Sequence, residues 1–169
     1  CLAFHIVVAL HLHLGDLDGG VLAQRQVEGL VEREAHLRYG EKVYSPLIEP
    51  GTADILVAFE ILEAVRYLPY LHRDSAVVVN TQKILPPAVA LGKASYPENI
   101  LDELKSRHIN VVAIDAFAVA ESVGELRTAN VAMVGAMSNF LAVSPDVFME
   151  VIDNTVKEQF REVNKKAFA

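Results

Sequence analysis

Ile55-Leu-Val-Ala-Phe59 is an unbroken apolar run, followed at once by Glu60-Ile-Leu-Glu-Ala-Val-Arg-Tyr-Leu68. A continuous apolar run of this length suits a strand buried on both faces, the usual state of a parallel strand. The residues after it change period. From about Glu60 the spacing predicts a helix with Ile61, Leu62, Ala64, Val65 and Leu68 turned toward the core and Glu63 and Arg66 outward. Ser75-Ala-Val-Val-Val79 is rich in β-branched residues and reads as the next strand, ending at Asn80-Thr81. A strand, a crossover helix and a second strand within so short a span place the chain in the α/β class.

The alternation continues outward from this unit. Pro86-Pro87 and Tyr96-Pro97 bracket an irregular excursion, long for a connector and of the kind that tends to be a functional surface. Glu98–Arg107 reads as a helix and Val111–Ile114 as a strand, with Asp115 placed to cap a helix over Ala116–Val123. A nearly all-apolar helix is expected over about Thr128–Leu141, where Gly135-Ala136 permits a close approach by a neighbour. Ser144-Pro145-Asp146 is a helix start, with Ser as N-cap and Pro at the first helical position. Beyond it Val147, Val151, Val156 and Phe160 track one face, with Glu150, Asp153, Lys157, Glu158, Arg161 and Glu162 on the wet one. Toward the N-terminus, Pro50-Gly51-Thr52 punctuates the chain. His36–Arg38 and Lys42–Ser45 flank Tyr39-Gly40-Glu41 as a hairpin signal. The whole reads as an α/β sandwich around a mainly parallel sheet.

Residues 1–34 differ in composition from the rest of the chain. They hold no Lys, Ser, Thr, Asn, Pro, Tyr or Met, yet carry His5, His11 and His13, three of the six histidines. Phe4–Leu10 is expected as a buried strand, Gly15-Asp16 and Asp18-Gly19-Gly20 as turns, and Val21–Glu34 as helical. His11-x-His13 puts two imidazoles on one strand face, but with no fixed third ligand a metal site does not follow. The Gly15–Gly20 cluster lacks the G-x-G-x-x-G spacing of a phosphate loop and reads as a turn. So sharp a break marks a boundary, a tail or a stretch read in another frame, and the domain proper is expected over 35–169.

Composition narrows the function. The chain of 169 residues is 52% hydrophobic and 22% charged, with a formal charge of −7. Its pI is about 5.3 and its mean hydropathy +0.28. Such a chain buries a core and is not disordered, and its acidity argues against a nucleic-acid groove. One cysteine excludes a disulfide framework and any iron–sulfur cluster or Cys-rich zinc site built from this chain alone. No apolar run reaches the roughly 20 residues needed to span a membrane. The chain begins with Cys1, as a mature lipoprotein does, but the apolar segment directly after it is unlike an exported linker. A clipped or mis-called start is expected, and a cytoplasmic location with it.

Ligands of open parallel sheets gather at the carboxyl ends of strands, which here carry Glu60, Asn80, Thr81 and Asp115. Glu60 is a candidate for a ribose hydroxyl or a partner's cation; an acid in the first turn of the following helix is its commoner use. Asn80 and Thr81 either hydrogen-bond a ligand or close a turn. For Asp115 helix capping is the better reading. There is no G-x-S-x-G elbow, P-loop or H-E-x-x-H, so the residues by themselves describe an α/β domain without a catalytic constellation.

A resemblance adds to this. Tyr44-Ser-Pro-Leu-Ile48, Gly51-Thr-Ala-Asp54 and Leu56-Val-Ala-Phe-Glu-Ile-Leu-Glu-Ala-Val-Arg-Tyr67 resemble the gamma-type domain of 2-oxoacid:ferredoxin oxidoreductases, in its indolepyruvate branch. Val77-Val-Val-Asn-Thr81, Tyr96-Pro97, Ile114-Asp-Ala116, Thr128-Ala-Asn130, Gly135-Ala136 and Asn164-Lys-Lys-Ala-Phe168 continue it, so that it covers about residues 36–168. The resemblance implies a Rossmann-like three-layer sandwich and a non-catalytic small subunit. Its partner would be a large subunit holding thiamine diphosphate and iron–sulfur clusters. That complex would decarboxylate a 2-oxoacid oxidatively to an acyl-CoA, indolepyruvate or another aryl pyruvate, with electrons passing to ferredoxin. This chain would hold no cofactor itself.

The family's glycine-rich G-x-G-G-Q-G turn has no match at Gly15–Gly20, and neither Gln24-Arg25 nor Glu32-Arg33-Glu34 lies in register with its Gln-Arg-Gly/Glu-Gly loop. No residue before His36 is carried over, and the first β-α unit is the doubtful part of the fold. Two other functions stay open on the residues alone: a stand-alone α/β module binding a nucleotide or small ligand, and a purely structural assembly domain.

Overall fold

The computed structural model describes residues 4–11, 32–39, 47–107 and 110–169. The chain forms two compact units, one ending at Ala113 and the other beginning at Ile114. The five-stranded sheet has the order β2-β1-β3-β4-β5, with β1 at Phe4–His11, β2 at Glu32–Tyr39, β3 at Ala53–Ala58, β4 at Leu71–Asn80 and β5 at Asn110–Ile114. Strand β3 lies in the middle, parallel to β1 (Val7 opposite Leu56) and to β4 (Leu56 opposite Val77). This is why residues 55–58 are apolar without interruption: both neighbours are strands and both faces are covered. Ile55, Leu56, Val57 and Ala58 are all buried, as are Val77, Val78 and Val79.

Strand β4 starts earlier than the apolar pattern shows. Its pairing with β3 slips between Ala53 and Ile55, which face Leu71 and Ala76. The buried hydroxyl of Ser75 holds the irregularity: it accepts from the His72 N–H at 2.8 Å and donates to the Ala53 carbonyl at 2.7 Å. A polar residue inside an apolar strand is here satisfied by the backbone groups that the slip frees.

Strand β2 runs antiparallel to β1, with His36 opposite Val7. Glu32–Glu34 belong to it and are extended, which corrects the helix expected over Val21–Glu34; pairing with β1 decides the conformation of those three residues. His36–Arg38 are strand as expected, and their described partner is β1. The Lys42–Ser45 arm of the anticipated hairpin, the glycine turns at residues 15–20 and most of the anticipated first helix lie outside the described residues.

Helix α1 (Ile61–Arg66) follows β3 and buries Ile61, Glu63 and Ala64. This corrects the face read from the sequence, since Glu63 is inside and Val65 outside. The carboxylate of Glu63 is paired with Arg66 at 2.7 Å, which offsets part of the cost of burying an acid. After a one-turn helix α2 (Pro87–Ala90) comes α3 (Ile100–Ser106), whose Ile100 and Leu104 join Ile61, Ala64 and Tyr67 in one buried cluster with Leu56 and Val77.

The second unit is helical. Asp115 caps α4 (Ala116–Ser122), its Oδ1 accepting from the Ala118 N–H at 2.9 Å. Helix α5 (Ala129–Ser138) is shorter than the expected 128–141: Leu126–Thr128 form a turn of 3₁₀ helix before it, and residues 139–141 are turn and bend after it. Only glycine fits at position 135: a Cβ built on it would sit 2.1 Å from the Phe168 carbonyl oxygen. Ser144 caps α6 (Pro145–Thr155), its hydroxyl accepting from the Asp146 N–H at 3.3 Å.

The single face expected along Val147, Val151, Val156 and Phe160 is not formed. The helix stops at Val156, which is extended, and α7 (Glu158–Phe168) starts afresh. Arg161 Nε donates to the Val156 carbonyl at 3.1 Å and so satisfies an acceptor the break would orphan. The inward side of α6 is Phe148 and Ile152. Phe148 stacks on Phe168 at 5.1 Å, whereas Val147 and Val151 are exposed. The charged face is less free than its sequence pattern implies, since Asp153 pairs with Lys165 at 2.6 Å.

Candidate functional site

The parallel strands β3 and β4 end side by side, and the residues at their ends form one corner. Glu60 is only 3% exposed, and its carboxylate is the hub. Oε2 accepts from the backbone N–H of Leu62 at 2.7 Å and of Glu63 at 3.1 Å, capping α1. Oε1 accepts from the Ile84 N–H at 3.2 Å and from the Tyr96 hydroxyl at 2.5 Å. Four donors on two oxygens match the acceptor capacity of an ionised carboxylate. They replace the water that burial strips away, without which the charge would be prohibitively costly. The Ile61 N–H donates to the Gln82 carbonyl at 3.2 Å, so α1 also holds the chain leaving β4.

Asn80 and Thr81 complete the corner. Asn80 is buried and donates from Nδ2 to the Phe59 carbonyl at 3.1 Å, tying the end of β4 to the residue after β3. Thr81 is half-buried at the start of the excursion. The three strand-end candidates thus come together. What the sequence did not show is that residues 82–96 fold back on the same carboxylate that caps α1. The sequence marks Tyr96 as one edge of a Tyr-Pro bracket and as part of the resemblance, but its hydrogen bond has no local signal, because its partner lies 36 positions earlier. Burial pushes the Tyr96 phenol well above its ordinary value, and the hydrogen bond to Glu60 and that residue's charge push it further. It therefore stays a neutral donor. Lys83 Nζ lies 5.5 Å from the centre of the Tyr96 ring and covers its face.

The corner is a structural junction with charged and polar groups already matched to one another. Asp115, the remaining strand-end acid, is engaged in capping α4. His36 and His72 are both used by the fold. His36 Nδ1 accepts from the Ile48 N–H at 3.1 Å, and His72 Nδ1 accepts from the Asp74 N–H at 3.2 Å with Nε2 3.5 Å from Asp54. Among the described residues no three His, Cys, Asp or Glu side chains cluster so as to hold a metal ion, and the chain's one cysteine, Cys1, lies outside them. The residues present do not fit an iron–sulfur cluster, which needs several thiolates. Among the described residues no helix is long and apolar enough to cross a membrane.

Comparison with known proteins gives the family. The family model for pyruvate ferredoxin/flavodoxin oxidoreductase matches residues 30–169. An indolepyruvate oxidoreductase subunit IorB from Archaeoglobus fulgidus is 35% identical over 150 residues, which is 84% of this chain and 74% of the relative. The gamma subunit of a keto/oxoacid ferredoxin oxidoreductase from Geobacter sulfurreducens has the same fold, with a TM-score of 0.61 at 19% identity over 99% of this chain and 93% of that one. A 2-oxoglutarate:ferredoxin oxidoreductase from Magnetococcus marinus also matches, with a TM-score of 0.59 at 16% identity. There 98% of this chain corresponds to 30% of a longer one, so the same fold occurs as part of a larger polypeptide. From residue 30 onward, the chain belongs to the pyruvate ferredoxin/flavodoxin oxidoreductase family.

Proposed function

We propose that this chain is the small subunit of a 2-oxoacid:ferredoxin oxidoreductase acting on indolepyruvate or a related aryl pyruvate. The observation that carries the proposal is 35% identity to an archaeal indolepyruvate oxidoreductase subunit across 84% of the chain. In this reading a large partner subunit holds the thiamine diphosphate and the iron–sulfur clusters, oxidises the 2-oxoacid to an acyl-CoA with loss of CO2, and passes two electrons to ferredoxin. The small subunit completes the assembly and holds no cofactor. Support for that division comes from the single cysteine and from the strand-end corner, where Glu60 and Asn80 are occupied in fastening backbone. Glu60, Asn80 and Thr81 then shape the corner this chain offers to the assembled enzyme, and no catalytic side chain is assigned to it. A cytoplasmic location belongs to the same proposal.

Residues 1–34 are proposed to be a mis-framed replacement of the native first β-α unit. The family match beginning at residue 30, close to the composition break, supports this. Whatever is native there must supply a strand where β1 stands, between β2 and β3. Translating the coding DNA in its other frames tests the point: a glycine-rich G-x-G-G-Q-G turn in one of them is the expected result.

Co-expression with a large subunit of an indolepyruvate oxidoreductase tests the function. The two chains are expected to co-elute, and indolepyruvate- and CoA-dependent reduction of ferredoxin is expected only in the complex. A chain that stays alone and binds a nucleotide tightly would favour the stand-alone module instead.

A further inference from the structure

We propose that residues 82–96, fastened to Glu60 at both ends, form a rigid docking knob for the large subunit. That subunit would receive it on an apolar surface rimmed by carboxylates. The inference rests on the proposed small-subunit role and adds to it a surface and its chemistry.

The first support is rigidity. The segment leaves β4 with the Gln82 carbonyl bonded to the Ile61 N–H, and the Ile84 N–H and Tyr96 hydroxyl both reach the buried Glu60 carboxylate. Between these anchors Pro86-Pro87 starts helix α2, and a Schellman motif ends it. The Gly92 N–H donates to the Val89 carbonyl at 2.9 Å and the Lys93 N–H to the Ala88 carbonyl at 2.8 Å, with Gly92 at φ +69°. The segment's shape is set before any partner arrives, which lowers the ordering cost of association.

The second is what this fixed loop presents. Leu85 is 54% exposed and Leu91 69% exposed, with Pro87, Ala88 and Ala90 also outward. Holding a loop rigid in order to expose leucines gains the isolated chain nothing, because ordering costs entropy that buried apolar area normally offsets. The gain arises only if those leucines are covered.

The third support is charge. From Thr81 to Pro97 the only charged residues are Lys83 and Lys93, both exposed, on a chain whose net charge is −7. A basic knob on an acidic chain is steered toward carboxylates on another protein. A second copy of this chain, also at −7, meets long-range repulsion and is the poorer occupant.

The test uses the full chain and separately purified, cofactor-loaded large subunit, with affinity and association rate measured by surface binding at several salt concentrations. One variant carries Leu85→Ser and Leu91→Ser and a second Lys83→Glu and Lys93→Glu. All four positions are exposed, and unchanged circular dichroism and unfolding midpoint confirm that each variant folds. The leucine pair is expected to weaken binding about 30-fold or more, as loss of interface anchors does. The lysine pair is expected to slow association about tenfold and flatten its salt dependence. Wild-type binding with both variants within about twofold of it overturns the docking surface and leaves the subunit reading standing. A wild-type chain that does not bind overturns both. A chain that is a dimer by light scattering, and becomes monomeric with the leucine pair changed, makes the knob a self-association face and overturns the inference.

Discussion

Glu60 and Tyr96 meet at a buried corner where shape and charge can be separated by substitution. Glu60→Ala removes the cap of α1 and the acceptor for two groups of the 82–96 segment. A cost of about 3 kcal/mol is expected, since charge-assisted hydrogen bonds and a helix cap are lost together. Glu60→Gln keeps the volume but turns an NH2 toward groups that themselves donate, so about half that loss is expected; chemical denaturation of the full chain measures both. Tyr96 gives a pH-dependent outcome of known sign. Its phenol is held above its ordinary value, so the folded state retains a proton that the unfolded state releases near pH 10. Its contribution to stability is complete below that pH and is lost as pH rises beyond it. Spectrophotometric titration should show a tyrosine ionising late, together with unfolding, and Tyr96→Phe should abolish that late step. Of this corner the sequence made the strand ends legible, because apolar runs stop abruptly at Glu60 and Asn80. The fastening of residues 82–96 was not legible, because a bond between positions 60 and 96 leaves no periodic trace.

At the scale of elements, the apolar runs located β3 and the buried half of β4, and the capping residues Asp115 and Ser144 marked their helices to the residue. Helix faces were harder. Helix α1 has only six residues, and apolar side chains occur on most of its circumference. A run that short does not fix its own phase, and the Glu63–Arg66 pair lets the acid turn inward in place of Val65. Helix α6 shows the same one-residue rotation, with Phe148 and Ile152 inward where Val147 and Val151 were expected. Its inward side follows the stacking of Phe148 on Phe168. The stop at Val156 has no proline or glycine to announce it and is satisfied by a side chain, Arg161, from the next helix. Gly135, by contrast, was readable as a point of close approach and proves to be one. Gly135→Ala drives a methyl into the Phe168 carbonyl, so α5 and α7 must separate. A loss of about 1–3 kcal/mol is expected from such overpacking. The Cβ position of Gly92 is open to solvent but its φ is +69°. Gly92→Ala is therefore expected to cost about 1 kcal/mol, from backbone strain alone. Thermal unfolding of the two variants distinguishes a clash from a strained turn by size.

For the whole chain, one cysteine means that any iron–sulfur cluster it serves needs thiolates from another chain. If the redox groups belong to the partner, removing this chain from the complex must change the rate and leave the cofactor content alone. Iron, acid-labile sulfide and thiamine diphosphate measured per large subunit are expected to be the same with and without this chain. Ferredoxin reduction is expected to be lost in the large subunit alone and to return when the purified chain is added back. The recovery should saturate at a fixed ratio of the two chains, as a stoichiometric subunit requires. Activity that rises without saturating would mark the chain as a loose effector, and iron lost along with it would place a cluster where a single thiol cannot hold one.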